Sequence, residues 1–120
     1  MRVVIGAFLW LAVHGIAEAS ELTAQEIRAE LVGQTIAWWE PGGWHAGDLT
    51  LRPDGRARIT VETPQAVMEI GRWSIEGNRI CTQWNSLRSG SAKCYSVTRV
   101  SGGRFLTSGG NVFELKQAGA

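Results

Sequence analysis

From Gln34 onward, the chain is a succession of short segments rich in β-branched and aromatic residues, each ended by turn residues. Most of these turns are short enough to join antiparallel neighbours directly. This spacing predicts an antiparallel, mainly β meander. The turns are Pro53-Asp54-Gly55, Thr63-Pro64-Gln65, Glu76-Gly77-Asn78, Leu87 to Ala92, Ser101-Gly102-Gly103 and Ser108-Gly109-Gly110-Asn111.

The pattern predicts about eight strands within a single domain that spans residues 34–117. With 120 residues and 44% hydrophobic content, the chain has no room for a second core. Eight sequential antiparallel strands can close into a small up-and-down barrel, whose interior is filled by side chains or holds one small ligand. An open sheet and a sandwich are the alternatives. The predicted strands are 34–39, 48–52, 56–62, 66–76, 79–85, 93–100, 104–107 and 112–116.

The segment before the first predicted strand, residues 20–33, is typical of one short helix. Thr23 and Glu26 have the spacing of a capping box, in which each side chain accepts a backbone N–H of the other residue. Ile27 and Leu31 lie four residues apart and therefore share one helical face. Gly33 is expected to end this helix as its C-cap.

The first nineteen residues have the order of a secretory signal peptide. Arg2 precedes the apolar run Val3 to Val13, and the triplet Ala17-Glu18-Ala19 follows. As a helix that run rises only about 16 Å, which is too short to cross a bilayer. We therefore expect cleavage after Ala19, no retained membrane anchor, and a periplasmic or secreted protein. We expect the last residues, 118–120, to form a disordered tail.

Cys81 and Cys94 are the only cysteines of the chain, and both lie in the part expected to be exported. An oxidising compartment favours a disulfide between them. The two residues fall at facing positions of a predicted hairpin formed by 79–85 and 93–100, on the face opposite Ile80 and Trp84. Directly opposed antiparallel residues are close enough for a disulfide. A free thiol is the alternative.

Strand 66–76 presents its large apolar residues in two different phases. Met68 and Ile70 share one phase, whereas Trp73 and Ile75 fall on the other. A bulge or bend at Gly71 would bring both pairs to the same face. We therefore predict an irregularity at this glycine.

The clearest candidate binding residues are Trp38, Trp39, Trp44 and His45. Neighbouring residues of a strand point to opposite faces, so Trp38 and Trp39 cannot both face one core. The flexible segment 40–43 separates them from Trp44 and His45, and aromatic side chains on flexible backbone are common at recognition surfaces. The alternative is a lid, in which the tryptophans pack down over the mouth of the barrel.

Catalytic, metal and cofactor patterns are absent from the sequence. His45 is the only histidine beyond residue 19, and no nucleophile elbow, phosphate loop or metalloprotease motif occurs. Glu40, His45 and Asp48 match no specific metal-ligand spacing. The net charge of +1 shows no basic excess of the kind that nucleic-acid binding needs. We expect no enzymatic activity, no cofactor and no nucleic-acid partner.

Several short motifs are spread over most of the chain beyond residue 19. They are Leu22-Thr23-x-x-Glu26-Ile27-Arg28, Asp54-Gly55, Gly71-x-Trp73, Arg79-Ile80-Cys81 with Trp84, and Cys94-Tyr95 with Val97. Together these motifs resemble a group of small exported proteins of unknown function from Gram-negative bacteria. This resemblance implies a periplasmic location and a compact β-rich fold. A looser, fold-level likeness is to the small periplasmic barrels that inhibit proteases or lysozymes.

Two functions follow as hypotheses. The first is a non-enzymatic periplasmic module that binds an exported protein, as an inhibitor or immunity-like factor would, through the loop from Trp38 to Trp44. The second is a carrier of a small ligand, in which Trp39, Trp73 and Trp84 line an internal cavity. An uncharacterised enzyme is the third. The identity of the partner or ligand and the oligomeric state do not follow from the sequence.

Overall fold

A computed structural model describes residues 20–63 and 65–116. The predicted signal peptide, its cleavage after Ala19 and the predicted tail 118–120 lie outside the described residues. Within these described residues, one α-helix, α1 (Ala24–Glu30), accompanies the strands, and a 3₁₀ segment (Leu87–Gly90) lies between β6 and β7. The strands are β1 (Ser20–Glu21), β2 (Thr35–Trp39), β3 (Ala46–Leu51), β4 (Arg56–Thr63), β5 (Val67–Glu76), β6 (Arg79–Trp84), β7 (Lys93–Tyr95), β8 (Val97–Ser101), β9 (Arg104–Thr107) and β10 (Val112–Leu115).

All ten described strands belong to one antiparallel sheet that curls into a half-barrel. Their order is β1-β8-β9-β10-β2-β3-β4-β5-β6-β7, which confirms the mainly β, antiparallel prediction. The count differs from eight for two reasons. Ser20–Glu21 pairs with β8 as a strand instead of joining the helix. The predicted strand 93–100 divides at Ser96, whose backbone N–H and C=O both bond to Ser108.

Helix α1 is fixed at both ends by the contacts that its sequence specifies. The capping box is confirmed, because Thr23 Oγ1 accepts the Glu26 N–H at 3.1 Å and Glu26 Oε1 accepts the Thr23 N–H at 2.9 Å. Beyond the helix, the Gly33 N–H donates to the Leu51 carbonyl. Asn78 Oδ1 accepts the Ala24 N–H. The helix therefore covers the end of the half-barrel that holds the turns after β3, β5 and β8.

The core lies between α1 and the concave face of the sheet. Burying large apolar side chains there supplies most of the driving force for folding, at roughly 25 cal/mol per Å². Buried and exposed residues alternate along the strands, as a sheet with one wet face requires. The largest fully buried side chains are Phe105, Leu22, Ile27, Leu31, Ile36, Leu51, Ile80, Val97 and Thr82.

The predicted bulge at Gly71 is wrong. Strands β4 and β5 stay in one register from Arg56 to Val61, so the two phases of β5 face opposite sides of the sheet. Met68 and Ile70 lie on the outer face, where they are 53% and 49% exposed. Position 71 requires glycine for a different reason. A Cβ there would lie 2.2 Å from the Gln83 carbonyl oxygen and 2.6 Å from the ring of Trp84.

The predicted hairpin and its disulfide are confirmed. Cys81 and Cys94 are directly opposed in the β6–β7 register and form a disulfide. Ile80 and Tyr95, which are opposed one step along the register, are buried on the concave face. The disulfide therefore ties β7, a strand of only three residues, to the outer side of β6.

An ion pair holds α1 against the sheet. Two guanidinium nitrogens of Arg99 donate to the two carboxylate oxygens of Glu30, at 2.7 and 2.6 Å. The hydrogen bond from Arg99 holds the pKa of Glu30 below its ordinary value of 4.5. Such a two-pronged arginine–carboxylate pair is stronger than an ordinary surface pair.

This pair should make stability depend on pH. Because the pKa of Glu30 is lower in the folded state, its contribution is present above about pH 4.5 and is lost as pH falls through the folded pKa. We expect Glu30→Gln to lower the unfolding free energy by about 1 kcal/mol at neutral pH, and by less at about pH 3. Urea titrations at both pH values measure this. Glu62→Gln is an exposed control, and its effect on the unfolding free energy should be the same at the two pH values. An equal effect of Glu30→Gln at both pH values would contradict the role of the Glu30–Arg99 pair.

Candidate functional site

The candidate site lies at the end of the half-barrel opposite α1. Strand β2 starts beside the helix and runs away from it, so the loop 40–45 that follows it lies at the far end. The antiparallel registers place the loops 85–92 and 108–111 at the same end. The helix closes one end of the half-barrel, and these loops surround the other.

A cavity of about 290 Å³ opens between these loops. Its size is near the lower limit for pockets that hold small organic molecules. Residues from the concave face of the sheet form its floor, and residues from the loops form its rim. The lining residues are Trp38, Glu40, His45, Leu49, Ile59, Val61, Thr82, Trp84, Leu87, Arg88, Lys93, Tyr95, Thr107, Gly109, Asn111 and Phe113.

Aromatic side chains dominate the floor of the cavity. Trp38, Trp84, Tyr95 and Phe113 are all buried there. The rings of Tyr95 and Phe113 meet edge to face at 6.0 Å between centroids, a favourable aromatic geometry. Burial raises the pKa of Tyr95 to about 12, against smaller opposing effects of Arg88 and Thr82. The phenol therefore stays protonated and neutral at physiological pH.

Trp38 reaches its position because the neighbouring strand carries a glycine. Trp38 and Gly47 are opposed in the β2–β3 register, and the Trp38 indole donates to the Thr60 carbonyl on the next strand, at 3.2 Å. A Cβ on Gly47 would lie 1.8 Å from that same carbonyl oxygen. The glycine thus allows β3 and β4 to approach each other where the tryptophan crosses them.

Trp84 forms part of the cavity floor at a cost in stability. Its ring packs where Gly71 has no side chain. Its indole N–H is buried and meets no acceptor within the described residues. An unsatisfied buried donor costs about 1–3 kcal/mol.

Two positively charged side chains, Arg88 and Lys93, line the cavity and are exposed at its rim. Thr82 is only 2% exposed, and its Oγ1 accepts a hydrogen bond from the Arg88 guanidinium at 3.3 Å. Lys93 is directly opposed to Thr82 in the β6–β7 register and shares its inward phase with Tyr95. A lysine in an inward phase is unusual in a sheet with one apolar face.

The loop that carries Arg88 is held in a strained backbone conformation. Arg88 and Ser89 have φ values of 57° and 54°, in the left-handed region that residues other than glycine rarely adopt. Glu69 on β5 fixes the start of this loop, because its carboxylate accepts from the Ser86 hydroxyl and from the backbone N–H groups of Ser86 and Leu87. These hydrogen bonds lower the pKa of Glu69. Strain that is maintained in this way is common at functional sites.

The structure separates the four predicted binding residues. Trp38 is in the cavity floor, and His45 is at the rim, where its Nδ1 lies 2.8 Å from Glu40 Oε1. Trp39 faces outward beneath the Arg104 guanidinium, as strand alternation requires. Trp44 is 74% exposed on the loop and does not line the cavity. The loop 40–45 therefore contributes to the rim with Glu40 and His45, while its tryptophan points to solvent.

Two of the three tryptophans expected to line a cavity do not do so. Trp39 is on the outer face, and Trp73 lies at the helix end, where its indole donates to the Arg52 carbonyl at 2.7 Å and the Arg28 guanidinium lies over its ring. Trp84 does line the cavity, together with Trp38. The prediction failed for Trp39 because alternation does not say which of Trp38 and Trp39 faces inward, and for Trp73 because alternation assigns a residue to a face but not to an end of the barrel.

The sequence analysis missed Thr82, Arg88, Lys93 and Phe113 as cavity residues. One signal was present: Lys93 alternates with Tyr95 and Val97, so its phase places a charge on the apolar face. Arg88 gave no such signal, since it belongs to a turn whose conformation the sequence does not fix. Asp48 pairs with Lys116 at 3.0 Å and thus does not join Glu40 and His45.

No protein-family model, curated protein or solved structure matches this chain. Within the described ranges, no helix has the length and apolar character needed to cross a bilayer. The function must therefore be argued from the site itself.

Proposed function

We propose that this protein binds a small molecule with an apolar body in the cavity at the open end of its half-barrel. The observation that carries this proposal is the cavity of about 290 Å³ with a buried aromatic floor and a polar rim. Sites for small molecules are usually concave and apolar, with a few polar groups that orient the ligand. The site is formed largely by the sheet, which holds its floor rigid.

We further propose that the protein works outside the cytoplasm, as a binding module and not as an enzyme. The Cys81–Cys94 disulfide is compatible with an oxidising compartment.

We also propose that the segment 93–101 closes the sheet into an up-and-down barrel of eight main strands. Its first half bonds to β6 and its second half to β9, which favours this closure.

A variant that fills the cavity tests the binding proposal. Val61 lines the cavity, whereas Met68 lies nearby on the outer face of the same sheet. We expect the wild-type protein to bind 2-naphthamide, a neutral aromatic probe, and Val61→Trp to weaken that binding at least about tenfold because the indole occupies the same space. Isothermal calorimetry measures both affinities.

Met68→Trp is the matched control, since it adds the same side chain outside the cavity. It should bind 2-naphthamide as the wild type does. The proposal would be wrong if the wild type did not bind the probe, or if Val61→Trp bound it with unchanged affinity while remaining folded.

Exposure of Trp44 favours a second candidate function, the capture of an exported protein partner. A tryptophan that is 74% exposed beside the flexible Gly42-Gly43 pair is typical of residues that anchor protein interfaces. We expect Trp44→Ala to abolish recovery of one specific partner in a crosslinked pull-down from the cell envelope. Leu106→Ala, at another exposed apolar residue, should leave that recovery unchanged. Equal recovery with Trp44→Ala would exclude this role for the loop.

A further inference from the structure

We infer that the molecule bound in the cavity carries a negatively charged group, such as a carboxylate, which pairs with Arg88 and Lys93. This inference rests on the proposed function and specifies the chemical class of its ligand. The apolar body of the ligand would lie on the aromatic floor. Its anionic group would lie at the rim, where the side chains of Arg88 and Lys93 line the cavity.

Lys93, on β7, and Arg88, in the 3₁₀ segment between β6 and β7, line the same cavity. Thr82 and Lys93 are directly opposed and share the inward phase, and Arg88 Nη1 lies 3.3 Å from Thr82 Oγ1. Directly opposed positions in a sheet have Cβ atoms about 4.5–5.5 Å apart. Arg88 and Lys93 are both exposed at the rim, so an anion bound there would have two cations available to pair with it.

Within residues 20–63 and 65–116, no carboxylate forms an ion pair with either cation, Arg88 or Lys93. The carboxylate in the cavity lining belongs to Glu40, and it is bonded to His45. Other cations of the described sheet, such as Arg99 and Arg104, do pair with glutamates. The cavity therefore presents an excess of positive charge that a bound anion would balance.

The fold also holds the backbone of Arg88 in an unfavourable conformation. Its φ of 57° lies in the left-handed region that residues other than glycine rarely adopt. Glu69 holds the preceding residues, Ser86 and Leu87, and so fixes the direction in which Arg88 enters the cavity. Positioning a guanidinium in advance reduces the ordering cost when an anion binds.

A pair of probes that differ only in charge tests the inference. 2-Naphthoate and 2-naphthamide have the same shape, but only the first is an anion at neutral pH. We expect calorimetry on the oxidised protein to give about tenfold tighter binding of the naphthoate, as one charge-assisted hydrogen bond predicts. Lys93→Gln and Arg88→Gln should each remove most of that difference and leave the affinity for the amide unchanged.

Arg58→Gln is the matched control, because Arg58 is an exposed cation without an ion pair among the described residues, on the outer face of the sheet. It should preserve the preference for naphthoate, and added salt should weaken only the naphthoate complex of the wild type. Equal affinities for the two probes would overturn the inference and leave the proposed function standing. A preference lost equally in Arg58→Gln would also overturn it. If neither probe binds, both proposals fail.

Discussion

Gly47→Ala is expected to lower the unfolding free energy by about 3 kcal/mol or more, the upper range of the cost of overpacking a folded interior. A Cβ at this position would lie 1.8 Å from the Thr60 carbonyl oxygen and 2.6 Å from its carbon, both of which belong to the backbone. Backbone atoms cannot rotate away as a side chain can. Strands β3 and β4 would have to separate where the Trp38 indole donates to that carbonyl. Urea denaturation followed by tryptophan fluorescence measures the loss.

Gly102→Ala is the control for this substitution. Gly102 also lies in the β domain, in the turn between β8 and β9, but no atom lies within 4 Å of the position that its Cβ would occupy. Its backbone is in a region that alanine adopts freely, so the substitution should leave stability unchanged or raise it by about 0.4–1 kcal/mol. If Gly47→Ala were as stable as Gly102→Ala, the described approach of β4 to Gly47 would be incorrect.

Removing the disulfide is expected to have an effect of similar size. Cys81→Ala with Cys94→Ala should lower the unfolding free energy by about 3 kcal/mol, since the bond closes a loop with a sequence separation of 13. Most of this loss reflects the greater freedom of the unfolded chain. The remainder comes from β7, which has three residues and contributes Lys93 and Tyr95 to the cavity. We therefore also expect weaker 2-naphthamide binding in this double variant.

Reduction of the wild type gives an independent measurement of the same effect. Wild type in excess dithiothreitol should unfold at the urea concentration at which the double alanine variant unfolds, and reductant should not shift the variant. A double variant as stable as the oxidised wild type would show that the disulfide does not contribute to the stability of the domain.

The sequence predicted those parts of the fold that depend on local pattern. The capping box of Thr23 and Glu26 follows from two residue types at one spacing, and it forms as predicted. The cross-strand position of Cys81 and Cys94 follows from strand alternation across a hairpin. Alternation also placed Trp38 and Trp39 on opposite faces. Each of these features involves residues that are close in sequence or joined by a single turn.

The wrong predictions concern features that depend on residues distant in the sequence, and a local pattern does not report such contacts. The predicted strand 93–100 gave no sign of the division at Ser96, because its cause is a pair of hydrogen bonds with Ser108 on a later turn. Gly71 was interpreted as a bulge, whereas its reason is the ring of Trp84 on the neighbouring strand. Trp73 was placed in the cavity because alternation assigns a residue to a face but not to a depth along the barrel.

By itself, the sequence determined the antiparallel β class, the capped helix and the pairing of the two cysteines, since each follows from periodicity or short-range spacing. Only the tertiary structure decided which end of the half-barrel is open and which side chains line it. Helix α1 covers one end because Ala24 bonds to Asn78 and Gly33, just beyond the helix, bonds to Leu51 on strand β3. The opposite end then brings Thr82, Arg88 and Lys93 together, because a site assembled from several strands depends on how the whole sheet curls.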